Sequence, residues 1–332
     1  MSALGNLLGA IDAGRVDTLL QPFEFGTSRQ NQMLFFIKPE VFLLNRDGLA
    51  KTCSLIWERL DAFGVQIAGS YLMSAETLEA NRIMDRHYGY INHVSRTASS
   101  SLSDPDRVEL RRLCGVSAET PILGGHEVLA DHPALSAKSL DELWATKKSN
   151  KLRSGLYVEV FDLAGKTTVI TNGFHPYQLE HFTGAGRKIC LLLLNSDLPW
   201  RMLRGRMLGD TFPEKAVAGS IRGDLNRNAA DYGFSEVSIA NNCAHMSAGA
   251  FEAVFELKNF LSGVSGLDFS IGMSRLANHF HSFGLDEAAL ERAISNPVSP
   301  LGSGGLSSLF DATEESDALS AAATYRSFFA KA

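Results

Sequence analysis

Hydrophobic positions near the start of the chain alternate between helical and strand-like patterns. An N-terminal extension, 1–30, carries apolar residues three and four positions apart, which predicts a short amphipathic helix from Leu4, Leu7, Leu8 and Ile11. Residues 32–38 form an apolar run closed by Pro39, which is typical of a buried strand. The apolar residues of 49–63 then fall on one face of a helix. The chain therefore opens with a helix, a buried strand and a second helix.

A second strand and helix follow directly. Residues 65–73 form another apolar run, and Ser74 can cap a helix that extends to about Tyr88. Glu76 and Glu79 lie near the N-terminus of that helix, where their charges favour the helix dipole. The order predicted from 32 to 88 is thus β-α-β-α.

The regular pattern breaks in the middle of the chain. We interpret 94–155 as an insertion because it is rich in serine and proline and is only partly helical, at 107–113 and 140–148. Residues 156–171 alternate around Gly165-Lys166, which predicts a β-hairpin.

The remaining elements alternate between strands and helices. Residues 189–195 are apolar throughout and predict a central strand. A short strand at 237–240 is expected to lead into a loop at Asn242, and 247–261 predicts a helix with one apolar face. A helical tail is expected over 266–332, so the main domain spans 31–265 with the insertion inside it.

Composition places the chain among ordinary globular proteins. It has 332 residues, of which 45% are hydrophobic and 20% charged, and a net charge of −6 predicts no general attraction to nucleic acid or to anionic lipid. The longest aliphatic run, 189–194, is far too short to span a bilayer, and we expect no secretory signal. The four cysteines form no CxxC pair, which favours reduced thiols in a cytoplasmic protein. From the charge and the short apolar run we expect no membrane and no nucleic-acid partner.

Four short blocks carry groups that can handle phosphate. They follow one another as 35–39 (FFIKP), 209–213 (GDTFP), 221–224 (IRGD) and 242–247 (NCAHMS). A hydroxyl, a guanidinium, an ammonium and an amide can bind a phosphorylated ligand, and a neutral imidazole can itself accept a phosphoryl group. The blocks therefore point to phosphoryl chemistry.

These blocks, in this order, resemble the nucleoside diphosphate kinase family. The family signature of Asn, two residues, catalytic His, one residue and Ser maps to Asn242, His245 and Ser247. The family's buried glutamate falls at Glu256, about three helical turns beyond the histidine, from where it can reach back to the start of the helix. The resemblance implies that His245 is the nucleophile, that Glu256 orients it and that Ser247 lies beside it. Ser247 can also cap the following helix.

The resemblance also implies a set of nucleotide-binding residues. Lys38 supplies a point charge that can also reach ribose oxygens, Thr211 a hydroxyl and Arg222 a fork for phosphate oxygens. Asn242 offers its amide to a sugar hydroxyl or a phosphate.

Two tyrosines and a further arginine complete that set. By resemblance, Tyr88 of the pair His87-Tyr88 binds phosphate, and Tyr177 stacks on the base. The family has a Gly-Arg pair and one residue before Met-Leu-Gly, whereas Arg206 here directly precedes Met207. Either Arg206 or Arg204 can therefore be the second phosphate arginine.

The fold implied by the resemblance is an α/β (α+β) sandwich with a ferredoxin-like four-stranded antiparallel sheet. The implied activity is transfer of the γ-phosphate from a nucleoside triphosphate to a nucleoside diphosphate by a ping-pong route through phospho-His245. Mg²⁺ is expected to arrive on the nucleotide phosphates, without a dedicated protein metal site. Assembly into a homo-oligomer is possible, as is recruitment of a protein partner by the insertion or the tail.

A binding module is the alternative. The shifted arginine, the insertion and Ala248-Gly249-Ala250, which replaces the family's acidic and hydroxyl pair, favour a nucleotide sensor or scaffold with weak turnover.

Overall fold

The computed structural model describes residues 3–301 and 305–329. Its strands, in chain order, are β1 (Thr18–Gln21), β2 (Asn31–Ile37), β3 (Gln66–Ser74), β4 (Ile122–Gly124), β5 (Asn150–Arg153), β6 (Leu156–Leu163), β7 (Lys166–Thr171), β8 (Lys188–Ser196), β9 (Ala244–Met246), β10 (Val298–Leu301) and β11 (Gly305–Ser308). Its α-helices are α1 (Ala3–Asp12), α2 (Arg46–Ala62), α3 (Ala75–Ala80), α4 (Ile83–His87), α5 (Gly89–Ser101), α6 (Asp104–Cys114), α7 (Gly125–Asp131), α8 (Ala137–Ala145), α9 (His175–Thr183), α10 (Trp200–Met202), α11 (Ile221–Arg227), α12 (Ala229–Tyr232), α13 (Ala250–Leu261), α14 (Arg275–Ser282), α15 (Glu287–Ile294), α16 (Leu309–Ala312) and α17 (Ala318–Phe329).

The chain divides into two compact units. The first comprises 1–83 and 185–332, and the second comprises 84–184. The insertion predicted at 94–155 lies within the second unit, which extends beyond it on both sides.

The first unit is built on a five-stranded antiparallel sheet in the order β1-β3-β8-β2-β9. Without β1, the order is second, third, first and fourth strand, which is the ferredoxin-like arrangement, so the predicted fold class is confirmed. β1 adds an edge strand to β3 from within the extension that was predicted to be helical. Its four residues are too few to show a clear alternation in the sequence.

β8, predicted as the central strand, is the middle strand of the five, and its neighbour β2 is buried on both faces. All residues of β2 are buried, and Met33, Phe35 and Ile37 share one hydrophobic cluster with the apolar face of α2. Phe36 points to the opposite face, where its ring centroid lies 5.2 Å from that of Phe260 on α13. The sheet is therefore covered by helices on both sides at this strand.

Two predicted elements differ from the structure. The helix expected from Ser74 to Tyr88 is split into α3 and α4, with Arg82 between them at a φ of 50°. The strand expected at 237–240 does not form, because side chains take its backbone carbonyls: Asn226 donates to Val237 O and Lys38 donates to Ala240 O. The strand instead forms at β9 and contains His245 itself.

The C-terminal tail is part of the core of the first unit. Helices α14, α15 and α17 pack against α13, and their apolar residues belong to the same cluster as those of β2 and α2. Phe280 of α14 stacks on Phe251 of α13 with ring centroids 4.3 Å apart and planes 5° apart. The tail, predicted to be helical, also contains the hairpin of β10 and β11.

The second unit has its own sheet and core. Its strands lie in the order β4-β7-β6-β5, and its apolar residues form clusters around Val158 and around Trp144. The predicted hairpin is confirmed as β6 and β7, whose turn places Ala164 and Gly165 at φ values of 53° and 79°. Positive φ at both central residues is typical of the tight turns that match strand twist.

The cysteines and the helices bear on two predictions made from composition. All four cysteines are free, as expected. Within residues 3–301 and 305–329, no helix has the length and apolar character needed to cross a membrane.

Acid is expected to destabilise the second unit through His126. Its Nδ1 lies 2.9 Å from the Ser95 hydroxyl, and burial lowers the pKa of His126 to about 4 from an ordinary 6.5. The folded state therefore favours the neutral ring, so this stability is complete above about pH 6.5 and is lost progressively towards pH 4. We expect His126→Gln to lose less thermal stability over that range than the wild type, as measured by calorimetric melting at several pH values. Equal losses in both proteins, or the same change in the control His281→Gln at an exposed residue, would contradict this prediction.

Candidate active site

His245 lies in the middle of β9, directly opposite Phe36 of β2. Because paired residues project to the same face of a sheet, the two rings meet, with centroids 4.6 Å apart and planes 19° apart. The His245 side chain is 20% exposed. The ring is thus held by the sheet and still reaches solvent.

Glu256 of α13 holds the other side of the imidazole. Its side chain is fully buried, and its Oε1 lies 2.6 Å from His245 Nε2. Its Oε2 accepts a hydrogen bond of 2.5 Å from the hydroxyl of Ser247, and that hydroxyl accepts the N–H of Leu34 at 3.2 Å. An ionised carboxylate only accepts hydrogen bonds, so an ionised Glu256 assigns the ring proton to Nε2 and the ring's lone pair to Nδ1.

Ser247 does not cap the following helix, so the predicted cap is wrong. Helix α13 starts three residues later than predicted and has Gly249 as its N-cap. Glu252 accepts the backbone N–H of Ala248 at 3.1 Å and so ties the loop before the helix to its first turn. Burial, and after it the neighbouring charge of Glu256, raise the pKa of Glu252 to about 8, which favours its protonated form near neutral pH.

A tight turn places the start of β9. The N–H of Ala244 donates to Asn242 O at 2.9 Å, across Cys243 at a φ of 68°. This conformation is strained for a residue with a side chain, and Glu40 stabilises it by accepting the Cys243 N–H at 2.8 Å. No motif in the sequence marks Glu40, because its role depends on this turn.

Lys38 and Asn242, predicted separately, are brought into contact. Lys38 Nζ donates to Asn242 Oδ1 at 3.0 Å and to Ala240 O at 2.8 Å. Burial lowers the pKa of Lys38, and the charge of Arg222 lowers it further, although Glu40 opposes the change.

Arg222 acts as a brace between two parts of the site. It is 5% exposed, and its Nη1 and Nη2 donate to Gly209 O at 3.1 Å and Ala244 O at 2.9 Å. Within the described residues its Nε has no hydrogen-bond partner. A guanidinium has five N–H groups, and these two bonds use only two of them. The remaining groups could donate to a phosphate, and that contact stays a prediction.

A groove of about 300 Å³ contains the predicted Thr211. The polar side chains around it belong to Arg204, Asp210, Thr211, Lys215, Glu314 and Glu315. Arg204 also donates to the carbonyl oxygen of Met246 at 3.1 Å, and Met246 directly follows His245 in the sequence. Arg206 is exposed and lies outside the groove lining, so the geometry favours Arg204 over the predicted Arg206.

A π-helical turn explains this exchange of arginines. Residues Leu203–Leu208 form that turn, and Gly209 N donates to Arg204 O five residues earlier at 2.9 Å. In an α-helix the N–H of Gly209 would bond to the residue four positions earlier. In this π-helical turn it bonds to Arg204, five positions earlier. The wide turn thus places Arg204, and not Arg206, along the groove.

Burial and neighbouring cations lower the pKa of two groups of the site, Arg222 and Lys38. Burial lowers the pKa of Arg222 to about 9, and the charge of Arg204 contributes to that decrease. Arg222 in turn lowers the pKa of Lys38. In both cases a neighbouring cation adds to the larger effect of burial, and a nearby anion would favour the charged forms.

The two predicted tyrosines belong to the second unit. Tyr88 packs edge-on against His175 with centroids 5.4 Å apart. Tyr177 is half-buried in the first turn of α9. Their contacts with a nucleotide stay predictions.

Comparison with known proteins gives a consistent but distant resemblance. No family model and no curated protein matches the sequence. Among solved structures, the chain resembles nucleoside diphosphate kinase from Encephalitozoon cuniculi (15% identity, 72% of this chain and 94% of that chain, TM-score 0.35). It also resembles the NDP kinase from Pyrobaculum aerophilum (15%, 69% and 94%, 0.33).

A third similar structure contains ligands of its own. It is nucleoside-diphosphate kinase from Borrelia burgdorferi, a transition-state mimic with bound vanadate and ADP (15%, 72% and 92%, 0.33). Superpositions this loose do not define an activity. The fold assignment therefore rests on the strand order, and any function must be argued from the site residues.

Proposed function

We propose that this protein is a nucleoside diphosphate kinase that transfers the γ-phosphate of a nucleoside triphosphate through phospho-His245. The observation that carries the proposal is the fully buried Glu256 carboxylate 2.6 Å from Nε2 of a partly exposed histidine. A surface histidine needs no such support, whereas a nucleophilic imidazole does.

The first half-reaction forms the phosphoenzyme. The Nδ1 lone pair of His245 attacks the γ-phosphorus, and the bond from that phosphorus to the bridging oxygen breaks. The electron pair leaves with the nucleoside diphosphate. Positive charge that develops on the ring is stabilised by Glu256, which holds the proton on Nε2. In the second half-reaction, a terminal oxygen of another nucleoside diphosphate attacks the phosphohistidine and regenerates the neutral ring.

The remaining residues position the substrate. Thr211 and Arg204 lie along the groove, where a hydroxyl and a guanidinium suit phosphate oxygens. Arg222 adds its charge and its unused N–H groups, and Lys38 and Asn242 are proposed to bind ribose oxygens. Tyr88 and Tyr177 remain the candidates for phosphate binding and base stacking.

Magnesium is proposed to bind with the nucleotide. When bound, Mg²⁺ neutralises part of the phosphate charge. Of the groove carboxylates, Asp210 lies beside Thr211 and would hold the ion directly or through water, although one of its oxygens already accepts the N–H of Phe212 at 2.8 Å.

The proposed partners are nucleoside di- and triphosphates, and the proposed location is the cytoplasm. Light scattering would count the subunits of any homo-oligomer.

An exchange assay tests the activity. The protein is incubated with ATP and GDP, and GTP formation is followed while both substrates are varied. We expect turnover with parallel double-reciprocal lines, because the first product leaves before the second substrate binds. Intersecting lines, which indicate a ternary complex, would contradict the phosphoenzyme route.

A nucleotide sensor is the second candidate. Two observations favour it: Arg222 is bonded to backbone carbonyls, and Arg204 is paired with Glu314. Calorimetric binding of ADP with no exchange between ATP and GDP would support the sensor and contradict the kinase.

A further inference from the structure

Part of the phosphate groove is made by the C-terminal tail. Glu314 and Glu315 of the tail line it together with Arg204 and Thr211. Glu314 Oε1 lies 3.1 Å from Arg204 Nη2, and Glu315 Oε2 lies 3.6 Å from Arg201 Nε. The tail therefore adds two carboxylates, beside that of Asp210, to a groove whose cations are Arg204 and Lys215.

The turn that carries these carboxylates is fixed on the loop after Ser247. Glu315 N donates to Ala248 O at 2.7 Å. A Cβ at Gly249 would lie 2.6 Å from Thr313 O, so only glycine permits this close approach. Glu315 has a φ of 57°, a left-handed conformation that is strained for glutamate. Local sequence preference does not explain this geometry, whereas docking of the turn on the loop does.

The pairing with Arg204 is suited to exchange. The Arg204 side chain is 16% exposed and also bonded to Met246 O, whereas that of Glu314 is 52% exposed. An ion pair with one partner this exposed contributes little, so a ligand with several negative charges can replace it. Glu314 can then rotate into solvent while Arg204 stays beside β9.

We propose that the acidic turn Thr313–Glu315 is an internal competitor for the phosphate groove, in which the Glu314 carboxylate occupies Arg204 until a phosphate displaces it. The identity of the ligand as a nucleoside polyphosphate rests on the proposed function, but the competition itself requires only an anion. The affinity of the groove is consequently set below what its cations alone would give.

Calorimetric titration with sodium tripolyphosphate and with ADP tests this competition. Variants Glu314→Gln and Glu314→Gln/Glu315→Gln keep the side-chain size and remove the charge. We expect the dissociation constant of tripolyphosphate to fall about fivefold in the single variant and further in the double variant. Glu291→Gln is the matched control, because Glu291 is also an ion-paired tail glutamate, 46% exposed, and its partner Lys258 lies outside the groove lining. This variant should bind as the wild type does.

The gain should depend on Arg204. In an Arg204→Gln background, removing the Glu314 charge should improve binding much less, and such a result supports direct competition. Affinity that is unchanged or weaker in Glu314→Gln would overturn the inference, as would the same gain in Glu291→Gln.

The same titrations separate this inference from the proposed function. Tighter tripolyphosphate binding without exchange between ATP and GDP would support the competitor and reject the kinase. Exchange with no change in either dissociation constant would support the kinase and reject the competitor. Failure of every variant to bind either anion would reject both.

Discussion

Replacing Glu256 by glutamine is expected to lower turnover by about 10²–10⁴-fold, the range typical of general acid–base contributions. Glutamine keeps the size of the side chain and can still accept the Ser247 hydroxyl. It cannot supply the negative charge that stabilises the ring when it becomes cationic. Its amide can also donate to Nε2, which would place the proton on Nδ1 and remove the nucleophilic lone pair. Steady-state exchange between ATP and GDP measures this loss, and nucleotide affinity should change little.

Glu252→Gln is the matched control for this variant. Glu252 lies one turn earlier on α13, its raised pKa keeps it protonated near neutral pH, and glutamine preserves the acceptor for the Ala248 N–H. Exchange in Glu252→Gln should stay within about threefold of the wild type, because neither a charge nor the hydrogen bond from Ala248 is lost. Equal activities of Glu256→Gln and wild type would show that Glu256 is a structural carboxylate only.

Replacing Phe280 by alanine is expected to lower the free energy of unfolding of the first unit by about 3–5 kcal/mol. The ring is fully buried and stacks on Phe251, which belongs to the same helix as Glu256. Its removal leaves a cavity beneath that helix, and the surrounding helices cannot fill it without moving. Urea unfolding measures the change.

Leu319→Ala provides the control for the tail. Leu319 lies on α17 but is 62% exposed, so its truncation should alter stability by about 0.5 kcal/mol or less. A small effect of Phe280→Ala would mean that the tail is a dispensable extension. In that case, a truncated protein that lacks 266–332 would still fold. The buried contacts of the tail predict instead that the truncated protein does not fold.

Much of the fold follows from hydrophobic pattern. Strands β2, β3 and β8 and helices α2 and α13 were predicted close to their observed bounds, because each is long and uniformly patterned. β9 was missed because three residues cannot display a period, and its formation depends on pairing with β2. The apolar run at 237–240 was wrongly preferred because its backbone bonds to side chains cannot be seen in the sequence.

The candidate site was accessible from sequence only where spacing carries the information. His245, Ser247 and Glu256 meet because a strand, a short loop and a helix bring them together at fixed separations. The choice between Arg204 and Arg206 depends on a π-helical turn, for which no residue pattern is diagnostic. Glu314 lies about a hundred residues beyond most of the residues that line the groove, so only the tertiary structure shows that it belongs to the groove.

The most direct test of the central claim is to incubate the protein with γ-labelled ATP and to map the label. The account predicts a covalent phosphate that is labile in acid and stable in base, located on His245 and absent from His245→Ala. The control His281→Ala, at an exposed residue of the tail, should label as the wild type does. Label that persists in His245→Ala, or that resists acid as a phosphoserine does, would contradict the account.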